Sequence, residues 1–301
     1  MGELIALLSL VLFSTNVIIT KAASSRVNLN IGFLIQITMN VLFAGILLLG
    51  QFIVNGFFTE FHWFAFWMFV ISGVLTSYLG RFLYFDSIVK LGPSKASAVM
   101  VSNPLFTAII SLIFLGEMLE IYEVGAGLIV LSGLFLLSYV PSAKDGEKKE
   151  RRTWRELFTP GIFMALLGSV CYALGNITRG AGVQDWNEPI LGGFLGAAVA
   201  VLLQLIFNKE VRNLIPTLRT ADRKGVWMYA VTGAFTIGAQ IGQIAAMHYI
   251  PISIVTLITM SQSLIVIPLS YFLLKNQEKI TLRTIGGSLL VLSGISIILL
   301  Y

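Results

Sequence analysis

Residues 124–134 read VGAGLIVLSGL and residues 285–295 read IGGSLLVLSGI, with Val-Leu-Ser-Gly identical at an offset of 161. Either stretch alone is an ordinary apolar helix. Together they indicate that the chain is written twice. Further upstream the offset becomes 159: Ala6-Leu7-Leu8 matches Ala165-Leu166-Leu167, Phe13 pairs with Tyr172, Arg81 with Gln240 and Asn103 with Gln262.

The 301 residues are 56% hydrophobic and 12% charged, against about 25% charged in a soluble domain. Charge-free intervals run over 4–20, 27–59, 61–80, 96–116, 124–143, 157–178, 189–208, 225–274 and 284–301. A membrane-crossing helix needs about 17–25 apolar residues. Eight intervals hold one span each, and the 50 residues of 225–274 hold two, joined at Tyr249-Ile250-Pro251. The expected fold is an all-α integral membrane protein with ten transmembrane helices. They form two five-helix repeats, 1–140 and 160–301, joined by a basic cytoplasmic linker at 141–159. Five is odd, so the second copy enters the membrane inverted. Inverted repeats with a site at their interface recur in secondary transporters, where the inversion provides two packings of similar energy.

Several classes fall away. Cys171 is the only cysteine, which excludes a disulfide scaffold. Glu3, with no Lys or Arg before the first apolar run, argues against a cleaved signal peptide. The runs are continuous rather than alternating, unlike an outer-membrane barrel. His62 and His248 are the only histidines, and no H-E-x-x-H or paired-carboxylate spacing points to an enzyme, a metal or a cofactor. No G-x-x-x-x-G-K-[ST] loop supports an ATP-driven pump. With ten spans, 18 of the 20 Lys/Arg fall on one side, in 21–30, 90–95, 141–159, 208–224 and 275–283. The positive-inside rule places that side in the cytoplasm and both termini outside the plasma membrane. Basic residues between spans are not a nucleic-acid footprint. In the linker, Lys148-Lys149 and Arg151-Arg152 read as a solvated topology signal, with anionic lipid headgroups as possible partners.

Polar residues inside spans carry the functional information. A central Arg costs about 2.5–3.5 kcal/mol on an insertion scale, which singles out Arg81. Ser77, Arg81 and Tyr84 follow i, i+4, i+7 spacing, and Thr236, Gln240 and Gln243 repeat that face on span 8. The two faces read as opposite walls of one cavity, with Arg81 turned to a carboxylate or phosphate of a small-molecule substrate. The competing reading has Arg81 snorkelling to the cytoplasmic interface near Lys90. Asn16 and Asn176 hold corresponding places within one residue, and Tyr172, Asn176 and Arg179 also follow i, i+4, i+7. Asn103 precedes the kink-forming Pro104, and Thr259, Gln262 and Ser263 form the matching patch in span 9. The candidate substrate-binding set is Asn16, Ser77, Arg81, Tyr84, Asn103, Tyr172, Asn176, Gln240, Gln243, Thr259, Gln262 and Ser263. Any one of these also reads as an interhelical hydrogen bond worth around 0.6 kcal/mol. Their recurrence over six spans is the signal. Asp86 reads as an ion-pair partner of Lys90, and His248 as interfacial. Gly192-x-x-x-Gly196, Gly238-x-x-x-Gly242 and Gly286-Gly287 read as close helix contacts.

Leu91-Gly92-Pro93-Ser94-Lys95-Ala96-Ser97, Asn103-Pro104, Phe114-Leu115-Gly116-Glu117 and Phe13-Ser14-Thr15-Asn16 with Lys21 resemble the EamA-type permeases of the drug/metabolite transporter superfamily. The resemblance covers essentially the whole chain. The second half departs from it, with Lys275-Asn276-Gln277-Glu278 in place of Leu-Gly-Glu and no Pro opposite Pro104. The resemblance implies a carrier of small metabolites, often amino acids or drugs. Combined with Arg81, it favours export of an amino acid or related metabolite. Efflux of amphipathic drugs recognised by Phe82, Tyr84, Phe85 and Tyr172 is the second reading. A channel or an intramembrane enzyme fits less well.

Overall fold

The computed structural model describes residues 1–27, 29–56, 60–91, 99–100, 102–116, 118–138, 160–207, 221–262, 264–266 and 282–300. The linker 141–159, the motif residues 92–97, Glu117, Ser263 and 275–278 lie outside the described residues, as do the side chains of Lys21, Phe85 and Lys90.

The described secondary structure is helical: α1 (Gly2–Ser24), α2 (Leu29–Asn55), α3 (Trp63–Ser72), a π-helical stretch (Gly73–Gly80), α4 (Arg81–Leu91), α5 (Asn103–Leu115), α6 (Ile121–Ser138), α7 (Pro160–Asp185), α8 (Pro189–Phe207), α9 (Arg223–Ala246), α10 (Ile252–Met260) and α11 (Leu282–Leu300). α3, the π-helical stretch and α4 run on without a gap. α5 begins with Pro104 in its first turn, where a missing N–H costs nothing, and ends on Gly116 at φ +64°, the left-handed cap that glycine adopts freely. By length and composition, Gly2–Ser24, Ile31–Asn55, Trp63–Tyr84, Pro160–Asp185 and Pro189–Phe207 can each cross a membrane. Asn103–Leu115, Ile121–Leu136, Ile252–Val266 and Ile285–Ile298 are shorter apolar helices.

The bundle is apolar on its outside. Leu4, Leu8 and Val11 on α1 and Leu42, Ile46, Leu49 and Ile53 on α2 are exposed at helical spacing, whereas Ser9, Ser14, Gln36 and Asn40 on the same helices are buried. That arrangement suits a hydrocarbon solvent, in which polar groups must be satisfied within the protein.

The repeated motif packs against itself. A Cβ on Gly133 of α6 would stand 2.7 Å from both the Gly287 carbonyl oxygen and Val291 Cγ2 of α11. A Cβ on Gly294 of α11 would stand 2.6 Å from Val130 Cγ2 and 2.8 Å from the Ala126 carbonyl oxygen of α6. The offset of 161 maps one set of contacts onto the other. Later residues of α6 meet earlier residues of α11, and the converse, so the two helices run antiparallel. Glycine lets the backbones approach this closely, and the contact is van der Waals packing.

A second reciprocal pair follows the 159-residue offset. Gly242 of α9 lies against Ser9 of α1, and the offset carries these residues to Leu83 and Gly168. A Cβ on Gly168 would stand 3.4 Å from Leu83 Cβ. α7 therefore packs on the α3–π–α4 rod much as α1 packs on α9.

Forcing a methyl into a closed backbone contact is expected to cost about 1–3 kcal/mol. Gly133→Ala and Gly294→Ala should therefore each lower the thermal midpoint of the detergent-purified protein by similar amounts. Gly286→Ala, where a Cβ meets nothing within 4 Å, should hold or raise it. An equal loss at all three positions would remove the close-contact account.

Candidate functional site

The stretch Gly175-Asn176-Ile177-Thr178-Arg179-Gly180 of α7 builds the centre of the site. Gly175 rests on Thr76 of the π-helical stretch, so α7 sits close enough for the next turn to reach across. Arg179 is only 4% exposed. Its Nη2 donates to Thr76 Oγ1 at 2.7 Å and more distantly to Ser77 Oγ and Gln240 Oε1, both at 3.5 Å. Bonds from a charged donor contribute about 1.5–3 kcal/mol each when well made, enough to offset much of the insertion cost of a central arginine. All three acceptors are neutral. Among the described residues no carboxylate lies within ion-pair distance of Arg179, and its buried Nε has no hydrogen-bond partner.

A neutral polar belt continues from there. On α9, Thr236, Gln240 and Gln243 are all buried, as the i, i+4, i+7 spacing predicts. Gln36 Nε2 of α2 donates to Asn16 Oδ1 and to Thr236 Oγ1, each at 2.9 Å, and Thr20 Oγ1 donates to the same Asn16 oxygen at 3.3 Å. Asn176 Nδ2 donates to Thr256 Oγ1 of α10 at 3.3 Å, and Gln243 Nε2 to Thr259 Oγ1 at 3.1 Å. Residues from before and after the linker thus meet in one layer. Gln36 binds Thr236, and Arg179 binds Thr76 and Ser77.

The remaining predicted residues take different places. Arg81 is half-buried with its guanidinium 4.9 Å from the Phe33 ring centroid, a cation–π contact. The Tyr172 ring lies against Gly80. Tyr84 is half-buried, and its carbonyl accepts from Ser87 Oγ at 2.6 Å. Asn103 is fully buried, its Oδ1 accepting from Thr107 at 3.2 Å. α10 ends at Met260, so Gln262 falls in the following turn, where its carbonyl lies 3.5 Å from Ser14 Oγ. Ser263 lies outside the described residues.

The spacing of Ser77, Arg81 and Tyr84 defines one face only in an α-helix. Gly73–Gly80 is π-helical, and its wider i→i+5 turn changes which side chains align. Thr76, not Ser77, becomes the fully buried partner of Arg179, and Arg81 is turned towards Phe33. The sequence reading left out Thr76, Gln36 and Thr256. It noted Arg179 as the third member of the Tyr172–Asn176 face without placing it among the site residues.

Two helix breaks also correspond. Ser102 caps the start of α5 and Ser261 the end of α10, and they lie 159 residues apart. Ser102 Oγ is 3.0 Å from Ser169 Oγ of α7.

Both ends of the bundle carry polar ties. At one end Arg26 Nη1 contacts Asp222 Oδ2 at 2.8 Å, and Asp222 Oδ1 caps α9 by accepting from the Lys224 N–H at 3.0 Å. The hydrogen bond from Arg26, and then the one from the Lys224 backbone, hold the Asp222 carboxyl below its usual value. At the other end His62 Nδ1 lies 3.4 Å from Asp185 Oδ2, and the His62 ring stacks on Trp186.

An apolar exterior around a cross-bonded polar layer is the build of a multi-pass membrane protein. The profile of the EamA-like transporter family matches residues 1–139 and again residues 159–300. The chain belongs to the EamA-like transporter family. It is 26% identical over 153 residues to Crt homolog 2 of Dictyostelium discoideum, a match covering 50% of this chain and 30% of that protein. One solved crystal structure superposes with a TM-score of 0.73 at 16% identity, over 99% of this chain and 98% of the other. At that identity the likeness is one of fold.

Because the folded carboxyl of Asp222 is held low, its stabilising contribution is present above the ordinary carboxylate pKa of about 3.9. It is lost as pH falls through the lower folded value. Asp222→Asn keeps a good cap and removes the charge. The variant should unfold at a slightly lower temperature than wild type at pH 7, with the difference closing in strong acid and in high salt. A difference that persists at pH 2 would show that the charge is not its source.

Proposed function

We propose that this chain is a secondary transporter of a small polar or amphipathic metabolite, with an amino acid or related compound favoured and export the favoured direction. It works by alternating access between two inverted five-helix halves, 1–140 and 160–301, tethered by 141–159. The ten spans are α1, α2, the α3–π–α4 rod, the 99–115 region, α6, α7, α8, α9, the 252–266 region and α11. The antiparallel contact of α6 with α11, the reciprocal Ser9–Gly242 and Gly168–Leu83 contacts, and a family match to each half all support this reading.

One observation carries the proposal: the bonds of the polar layer cross between the halves, from Gln36 to Thr236 and from Arg179 to Thr76 and Ser77. Exchange of such bonds is cheap, at around 0.6 kcal/mol per interhelical bond, so the halves can rock about this layer. The charge asymmetry of the loops favours a cytoplasmic location for 141–159 and 208–224 and places both termini outside. Arg26–Asp222 and His62–Asp185 each join the first half to the second. In the alternating-access reading they close opposite ends and part in turn. Half-buried Phe33, Tyr84 and Tyr172 favour an amphipathic substrate as the second reading.

The test is counterflow of labelled amino acids into proteoliposomes. Saturable, competable exchange is the expected result. Flux that never saturates would indicate a channel. Silence across the amino-acid panel, together with saturable movement of amphipathic drugs, would replace amino-acid transport with drug efflux.

A further inference from the structure

We infer that Arg179, rather than Arg81, is the residue that receives an anionic group of the transported molecule, and that this group is a carboxylate. The inference rests on the carrier reading for its physiological meaning, and on the geometry of the layer for its location.

Arginine stays protonated in any protein environment, so a buried guanidinium is a standing positive charge. Buried charges in stable proteins are normally paired. Arg179 is 96% buried by the same measure that leaves it 4% exposed, and the acceptors on its Nη2 are two hydroxyls and an amide oxygen. Nε is buried without an acceptor. Among the described residues no carboxylate stands within ion-pair distance.

Arg81 is the weaker candidate because it is half-buried and already faces the Phe33 ring, which offsets part of its charge. Arg179 also sits where the halves meet, between Thr76 of the first and Gln240 of the second. A planar guanidinium with a free N–H matches a carboxylate. Binding there would both neutralise the buried charge and engage the layer that must rearrange during transport. Tyr172 and Asn176 share the Arg179 face of α7 at helical spacing, and offer a hydroxyl and an amide beside the carboxylate.

The experiment compares acids with their amides on the purified, reconstituted full-length chain. Leucine and phenylalanine are set against leucinamide and phenylalaninamide, with phenyl phosphate as a phosphate probe. Two readouts are taken: the shift of the thermal midpoint by each compound, and competition in counterflow. In wild type the free acids should stabilise the protein and compete, with the amides about tenfold weaker or worse, the size of one lost charge-assisted bond. Arg179→Gln should abolish the difference between acid and amide, Arg179→Lys should retain part of it, and Arg81→Gln should preserve it.

Equal effects of acid and amide on wild type overturn the proposal, as does no effect of either. An Arg179→Gln protein that remains monodisperse and still discriminates also overturns it. If Arg179→Gln does not fold, the wild-type comparison and Arg179→Lys decide the matter on the same criteria. Stabilisation by phenyl phosphate but not by the acids would overturn the carboxylate assignment. Arg179-dependent stabilisation without counterflow would uphold the anion site and overturn the carrier reading, whereas counterflow without discrimination would do the reverse.

Discussion

In a hydrocarbon solvent a donor turned away from the protein has nothing to bind, and Arg179 is where that constraint presses hardest. Its guanidinium cannot shed its proton and cannot reach water by lying flat along an outer face, because it is 4% exposed. It is tolerated only because Thr76, Ser77 and Gln240 are brought to one point. That convergence fixes α7 against the π-helical stretch and against α9. It also explains the glycines nearby. Gly175 must lack a side chain for Thr76 to approach, and Gly80 for the Tyr172 ring to lie flat beside the same region.

The two kinds of contact in the bundle differ in what they permit. α6 and α11 join through glycine, valine and backbone atoms in close contact. Such a contact depends on shape and loses energy steeply when shifted, since dispersion falls off within about 1 Å. The central layer is made of weak, interchangeable hydrogen bonds among amides and hydroxyls. Thr76, Thr236, Thr256 and Thr259 each also bond a carbonyl of their own helix. A partner lost across the layer therefore leaves the threonine hydroxyl satisfied. Close packing at the edge and replaceable bonds in the middle are what a rocking movement about a central site requires.

The repeat was legible in the sequence because Val-Leu-Ser-Gly makes the same contact twice, so the same residues were needed twice. The helical character and apolar outside were legible from where the charges are missing. The α9 face is buried as its spacing predicts because α9 is a regular helix over Thr236, Gln240 and Gln243. The matching face on the first half aligns differently, for the opposite reason. No residue pattern announces that Gly73–Gly80 widens into a π-helix, and with it Thr76 replaces Ser77. Gln36 was passed over because it sits inside the apolar run Phe33-Leu34-Ile35-Gln36-Ile37, where one amide reads as an exception. Arg179 lies near the end of α7. Its long side chain reaches back towards the start of its helix, as side chains on helices do, and that brings the charge to the layer.

The scaffold repeats, but the charges do not. The 159-residue offset carries Arg179 to Thr20 and Arg81 to Gln240, so each half places its arginine where the other has a neutral residue. Thr20 contributes only a hydroxyl to Asn16, and Gln240 only an amide oxygen to Arg179. Two packings related by the repeat would be equal in energy if the side chains repeated as the backbone does. With the arginines at unmatched positions they are not equal, because the acceptors around Arg179 come from Thr76 and Ser77 on one rod and Gln240 on another, groups that the proposed rocking of the halves would separate. In the proposed carrier, a carboxylate bound at Arg179 would change that balance by moving with the guanidinium and keeping it neutralised when the cross-half bonds part. Under that proposal, the asymmetry of charge on a repeated frame would tie the movement of the halves to the presence of the molecule carried.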